Sequence, residues 1–277
     1  MLGINKLSSG RMGNRLFHYH FLRQVSKKTG INYFNIHFPE SKYFEEFNTH
    51  KRKFSLFRKQ IKLSSQEVRK IDPDDFLKFV KAKNEASYDI IFKPPFLGEI
   101  FFDYIFYPPS DFIKIKKEYQ KTFNFEIENK ILVGLHFRGT DFETWNSKAS
   151  LKPEYYQAAI QSCLSEPENE RLVFVLFTDD LNFKTYLETI DYLKKENLEF
   201  YLSDSLNFPI SDFYQISQCD IVISSPSTFA ILAACLGRSK KIIHSRDWLD
   251  YAVSNNDKFW VDLIKSKSPY YSLWKSL

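Results

Sequence analysis

The stretch that most constrains this chain is CDIVISSPSTFAILAACL, from Cys219 to Leu236. Ile221, Val222 and Ile223 form a short β-branched run of the kind that makes a buried strand. Ser224 and Ser225 end it. Pro226 then fixes φ near the helical value at a position where a missing N–H costs nothing. Ser225 is therefore expected to cap a helix that opens with Pro226, Ser227 and Thr228. The free N–H groups of Ser227 and Thr228, together with their hydroxyls, would form an anion site, and phosphate is the usual anion there. From Phe229 to Leu236 every residue is apolar, so the helix is expected to be buried on all sides, with Gly237 ending it. A buried strand feeding a buried helix, with hydroxyls at the turn, suits a nucleotide diphosphate at the carboxyl edge of an α/β sheet. An ordinary capped βα connection accounts for the same stretch, so the rest of the chain decides.

The second half of the chain repeats the same grammar. Ile131–Phe137, Leu172–Phe177, Leu198–Leu202 and Lys241–His244 read as strands. Pro153–Leu164, Leu181–Lys195 and Ile210–Gln218 read as helices between them, which predicts a parallel, doubly wound sheet. The first half opens βαβ: a strand at Leu2–Leu7, a glycine loop at Ser8–Asn14, a helix at Arg15–Lys28 and a strand at Ile31–Phe38. The loop lies where phosphates are bound, but its Gly-x-x-Gly is neither the dinucleotide fingerprint nor a P-loop. Further on, Ser64–Lys83 reads as helical with a break at Asp72-Pro73. Tyr88–Tyr107 is hydrophobic and broken by Pro94 and Pro95, and Asp111–Phe123 has Phe112, Ile115 and Tyr119 at helical spacing. Polar Glu126–Lys130 is the expected boundary between domains at 1–128 and 129–277.

Composition narrows the class. A net charge of +5 over 277 residues suits a small polyanionic ligand and is too weak and diffuse to argue for nucleic acid. The three cysteines, Cys163, Cys219 and Cys235, sit in apolar contexts without a CxxC pair and read as reduced core thiols. The opening MLGINKLSSGRMGN lacks the apolar core of a signal peptide, so a cytoplasmic protein is expected. Basic, aromatic Lys51–Phe54 leaves a peripheral contact with the inner face of a membrane open, although a solvated basic turn explains it as well.

Two strand ends and one helix start carry groups fit for chemistry. His136 and Arg138 follow one another at alternate positions where the Ile131–Phe137 strand ends. Arginine suits a diphosphate because its planar fork can contact two phosphate oxygens and keeps its charge. Asp141 could orient Arg138 or cap the next turn. Thr178, Asp179 and Asp180 follow the Leu172–Phe177 strand; Asp179-Asp180 could suggest a metal, but capping of the next helix by Thr178 or Asp179 is expected instead. Asp212 could cap its helix, or accept two hydrogen bonds from guanine N1 and N2 and so select guanine. The six histidines show no zinc spacing, and no Gly-x-Ser-x-Gly elbow occurs.

Taken together, the motifs resemble the α-1,2-fucosyltransferase family and the wider GDP-fucose-using enzymes of GT-B type. Gly10-Arg-Met-Gly-Asn-Arg-Leu-Phe17 resembles the family's G-R-x-G-N-Q-L-F, and His136-Phe-Arg-Gly-Thr-Asp-Phe142 its H-x-R-R-G-D-Y. Pro153–Ile160, Phe177–Asp180 and Ser225–Phe229 resemble further family blocks in the same order. Gly139 stands where the family has a second arginine, Arg15 where it has glutamine, and Ala230–Ala233 where Ser-Trp-Trp-Gly is usual. Arg11 or Arg15 is offered as a substitute for the missing charge.

The resemblance implies two Rossmann-like domains with a donor cleft between them. It also implies inverting, metal-independent transfer of L-fucose from GDP-β-L-fucose to a glycan hydroxyl, α-1,2-linked, with no cofactor. Arg138 would hold the diphosphate, Ser225, Ser227 and Thr228 its β-phosphate end, and Asp212 the guanine. His136 would lie near guanine or sugar, with Thr178 and Asp179 beside the donor, Gly10, Arg11, Gly13 and Asn14 reaching it from the first domain, and Asp141 a candidate base. The acceptor would be a surface polysaccharide or a lipid-linked oligosaccharide. Two alternatives stand beside this reading: a glycosyltransferase of the same fold using another nucleotide-sugar, and an inactive nucleotide- or glycan-binding protein.

Overall fold

The structure, a computed structural model, describes residues 1–4, 11–33, 39–45, 58–68, 71–93, 114–166, 171–203, 208–257, 260–261 and 274–276. The chain divides into two compact units: Met1–Lys116 with Val261–Ser268, and Lys117–Trp260 with Pro269–Leu277.

The first unit is built on a parallel sheet of three strands, β1 (Leu2–Ile4), β2 (Lys59–Ser64) and β3 (Tyr88–Lys93), in the order β1-β3-β2. Helix α1 spans Met12–Thr29 and ends at Gly30, whose φ of 73° is the left-handed conformation that glycine adopts without penalty. Short helix α2 (Ser65–Val68) leads to α3 (Pro73–Glu85), where Asp72 caps the start through the Asp74 N–H at 2.9 Å, so the predicted break at Asp72-Pro73 is a true helix start. Phe21 of α1, Phe76 of α3 and Phe92 of β3 meet at centroid distances of 5.0–6.2 Å and fill the space between helices and sheet. Central β3 also buries Asp89, which is charge-matched by Arg58 at 2.9 Å.

Several expectations for this half are corrected. The helix starts at Met12, so buried Gly13 and half-buried Asn14 lie in its first turn and not in a loop. Of the strand expected at 31–38, Tyr33 makes an isolated parallel bridge to Leu2, and 34–38 lie outside the described residues. Asp111–Phe123 is not a helix over its described part. Ile115 is extended and pairs antiparallel with Phe44, and only Lys117–Tyr119 turns, as a 3-10 segment. Strand pairing to a distant residue outweighed the local helical spacing there.

The second unit carries six parallel strands: β4 (Ile131–Phe137), β5 (Leu172–Thr178), β6 (Phe200–Leu202), β7 (Ile221–Ser224), β8 (Lys241–His244) and β9 (Trp274–Ser276). Between them run α4 (Phe142–Trp145), α5 (Pro153–Leu164), α6 (Lys184–Lys195), α7 (Pro209–Ser217), α8 (Thr228–Leu236) and α9 (Arg246–Ser254). The strand order is β6-β5-β4-β7-β8-β9. The chain thus builds outward from β4 through β5 to β6, then crosses back to lay β7 on the other flank of β4. In open α/β sheets such a reversal is where a ligand crevice forms, which here means the carboxyl ends of β4 and β7. Leu132, Val133, Leu135 and Phe137 of β4, and all seven residues of β5, are buried, as expected for strands covered on both faces. Asp220 ties the other end of the reversal, accepting the Leu132 N–H at 3.0 Å and an Arg238 N–H at 3.1 Å.

Candidate functional site

The crevice is furnished by three strand ends. At the end of β4, the buried His136 ring meets the Ser225 hydroxyl through Nδ1 at 2.8 Å and packs on Phe229 at 5.8 Å. The His136 carbonyl accepts the Tyr156 hydroxyl at 2.9 Å and the Ser225 N–H at 3.1 Å. Burial, then the neighbouring Arg138 charge, lowers the His136 pKa to about 3, so its imidazole is neutral at physiological pH. Tyr155 of α5 donates to the carbonyls of Ser224 at 3.1 Å and Ile243 at 2.9 Å, joining the ends of β7 and β8. These tyrosines fix the β4, β7 and β8 ends relative to one another. A Tyr-Tyr pair after a helix-starting proline was the signal in the sequence, yet spacing alone does not say that both hydroxyls turn toward strand carbonyls.

Arg138 is held between two carboxylates. Its Nε and Nη2 donate to Asp141 at 2.8 and 3.1 Å, and its Nη1 lies 3.1 Å from Asp179. The guanidinium also sits over the Phe142 ring at 5.5 Å. Asp141 therefore orients Arg138 and makes no side-chain cap to α4.

The expected capping by Thr178 or Asp179 is corrected. Helix α6 starts six residues after Thr178, at Lys184, with Phe183 preceding it. Asp179 instead accepts from the Gly139 N–H at 2.8 Å, the Thr140 N–H at 3.4 Å and the Thr140 hydroxyl at 2.7 Å. Burial alone would raise its pKa. The Arg138 charge and the Thr140 and Gly139 donors outweigh burial and hold it below the ordinary value. Thr178 closes a local turn with Asp180, donating to its carbonyl at 2.9 Å. Asp180 accepts from the Asn182 N–H at 2.9 Å. The two acids thus serve different backbones, and among the described residues no group of three or more His, Cys, Asp or Glu could hold a metal ion.

The β7–α8 turn differs from its expected form by two residues. Helix α8 begins at Thr228 with Ser227, not Ser225, at the capping position, and Ser227 makes no side-chain cap. The Ser227 N–H is not free, since it donates to the Ser225 carbonyl at 2.6 Å. Ser225 serves His136 instead. The turn still places Ser225, Ser227 and the amino end of α8 beside the carboxyl end of β4. Ala230–Ala234 are at most 1% exposed, so α8 is buried as its composition demands. Asp212 lies within the first turns of α7, buried, where the Ser203 hydroxyl donates to it, so it is not the helix cap.

Gly139 has a packing reason. A Cβ there would stand 2.7 Å from Phe183 Cβ and 3.0 Å from Asp180 Cβ. Gly139→Ala is expected to destabilise the protein by about 1–3 kcal/mol through overpacking of the loops that hold Arg138. Urea unfolding measures it, and an unchanged midpoint would contradict the packing.

The first unit's candidates are placed separately. Gly10 lies outside the described residues, as do Lys51–Phe54. Arg11 precedes α1 and is exposed, and Arg15 is committed to an ion pair with Glu40, its Nε donating at 3.1 Å, so it is no spare charge.

A doubly wound parallel α/β unit with a basic fork, hydroxyls and a buried helix start at its strand-order reversal is a Rossmann-like unit. The chain belongs to glycosyl transferase family 11, the α-1,2-fucosyltransferase family, whose model matches residues 95–259 and so takes in the whole crevice. No curated protein matches the chain. No helix among the described residues is long and apolar enough to cross a membrane.

Proposed function

We propose that this chain transfers L-fucose from GDP-β-L-fucose to a hydroxyl of a glycan acceptor, inverting the anomeric centre to an α-1,2 linkage, without a metal. The observation that carries the reading is Arg138, held by Asp141 and Asp179 at the strand-order reversal beside the start of α8. Asp141 occupies the Nε/Nη2 edge of the guanidinium with two carboxylate oxygens, the geometry that a phosphate group would use in its place. The diphosphate takes that edge, and Ser225, Ser227 and Thr228 receive the β-phosphate end. Asp212, buried among α7, accepts from guanine. Thr178 and Asp179 act by positioning the loops that carry Arg138.

In the transfer, the acceptor oxygen attacks the anomeric carbon as its bond to the phosphate oxygen breaks. The electron pair leaves on GDP, and the acceptor proton passes to Asp141, displaced from Arg138, or to a phosphate oxygen. Arg138 and the α8 start stabilise charge growing on the leaving group. Neutral His136 orients Ser225 without adding positive charge beside Arg138. Donor contacts from Gly10, Arg11, Gly13 and Asn14, a cytoplasmic location with peripheral membrane contact, and a surface polysaccharide or lipid-linked acceptor belong to the same proposal through the family resemblance.

A panel of GDP-fucose, GDP-mannose, UDP-galactose and UDP-glucose, read by nucleotide release with and without EDTA, tests it. The expected result is EDTA-insensitive release from GDP-fucose alone, with the product linkage assigned by NMR. Because Gly139 stands where the family has arginine, turnover of another donor is the second reading, and this panel separates the two. GDP binding without release from any donor would identify an inactive binding protein.

A further inference from the structure

Trp145 is 59% exposed, more open to solvent than any other large apolar side chain among the described residues. It is also firmly held. Its backbone N–H donates to the Asp141 carbonyl at 2.9 Å, and its indole leans on Phe142 at 5.3 Å and on Trp248 at 6.1 Å. Trp248 is buried against Tyr251 and Trp260, each at 5.7 Å. The next residue, Asn146, donates from its amide to the Tyr251 hydroxyl at 3.1 Å, which locks α4 onto α9. An indole packed on two aromatic neighbours with one side left in water is a preformed surface on which a flat apolar ligand face can stack.

The position says which ligand. Arg138 sits over Phe142, and Phe142 touches Trp145, so the open indole is one ring beyond the guanidinium. The donor's own sugar is bonded to the phosphate that Arg138 holds and lies nearer to it. In the proposed inverting transfer the acceptor attacks from the side of that sugar opposite the phosphate, so its site lies beyond the donor sugar as seen from Arg138. We infer that the exposed face of Trp145 is a stacking platform for a pyranose ring of the acceptor glycan. The inference rests on the proposed transfer reaction. A pyranose ring presents a face of C–H groups with partial positive charge, which matches the negative face of an indole. The platform is already rigid, so little ordering is lost on binding.

The test uses the full chain saturated with GDP and a panel of methyl glucopyranoside, galactopyranoside, mannopyranoside and N-acetylglucosaminide. Saturation-transfer NMR reads which ring protons touch the protein, and titration gives affinity. At least one glycoside is expected to bind through one ring face. Trp145→Ala should weaken it by about tenfold or more, Trp145→Phe by less than about threefold, and both variants should keep wild-type GDP affinity. No glycoside bound by the wild type, or binding unchanged in Trp145→Ala, would overturn the platform. So would a parallel loss of GDP affinity in Trp145→Ala, which would place the indole on the donor. Glycoside binding without any GDP binding would instead remove the nucleotide reading and leave the sugar site standing.

Discussion

Arg138→Ala is expected to lower kcat/KM for fucosyl transfer by about 10²–10³-fold, equivalent to about 2.7–4 kcal/mol of transition-state stabilisation. The size follows from where the side chain sits. Its fork is only 13% exposed, so its charge acts on a bound phosphate with little screening. The same substitution strips Asp179 of its cationic partner. Burial would then push the Asp179 carboxyl up, and the loop at Gly139–Thr140 would be held by a weaker acceptor. Some loss of stability is therefore expected alongside the loss of turnover. Arg138→Lys separates the two effects, because it keeps a charge beside Asp179 and removes the fork. It should fold as well as the wild type and still lose at least about tenfold in kcat/KM. Activity of Arg138→Ala within tenfold of wild type would rule it out as the phosphate clamp.

Acid should unfold this protein unusually early. His18, His136 and His244 are each buried, and burial lowers each pKa to about 3 from an ordinary 6.5. In the unfolded chain they take up protons near pH 6.5, while in the folded chain they stay neutral down to about pH 3. Between those limits the unfolded state binds more protons, so stability falls as pH falls. Each histidine contributes about 1.4 kcal/mol per pH unit. His18 belongs to the first unit, His136 and His244 to the second, so both units lose stability as the pH falls through this range. Asp179 adds a further loss at lower pH, below its ordinary value of 3.8, because its folded pKa is depressed. Urea midpoints between pH 7 and 5 measure the slope, and His244→Leu should flatten it by about one histidine's share. A midpoint that does not move between pH 7 and 5 would contradict the buried, neutral assignment.

Much of the second unit was legible in the sequence, and the reason is visible in its residues. Ile131–Phe137, Pro153–Leu164 and Lys241–His244 have the observed limits, because buried parallel strands read as apolar runs and a proline opens α5. The first unit was less legible. Lys59–Ser64 alternates only weakly, with Ile61 and Leu63 among lysines, and its partner β3 lies far along the chain. Phe112, Ile115 and Tyr119 have helical spacing, yet Ile115 is claimed by Phe44. Helix α9 was not anticipated, although Ser245 caps it by accepting the Trp248 N–H at 3.3 Å.

At the site, several side chains have partners that the local pattern did not suggest. Proline after Ser225 suggested a helix start there. The chain instead spends Ser225 on His136 and begins α8 at Thr228. Asp179 looked like a cap because it follows a strand and precedes a helix, but its partners are Gly139 and Thr140, forty residues earlier in the chain. Local patterns carry caps and periods. They do not carry which two strand ends a fold places side by side.

The most direct test of the account is calorimetric binding of GDP, UDP and ADP, with and without EDTA, to the wild type and to Arg138→Ala. The account predicts GDP-selective binding that EDTA leaves unchanged and that Arg138→Ala weakens at least about tenfold. Preference for UDP or ADP, or binding that requires a divalent metal, would contradict it and return Asp179 and Asp180 to consideration as metal ligands.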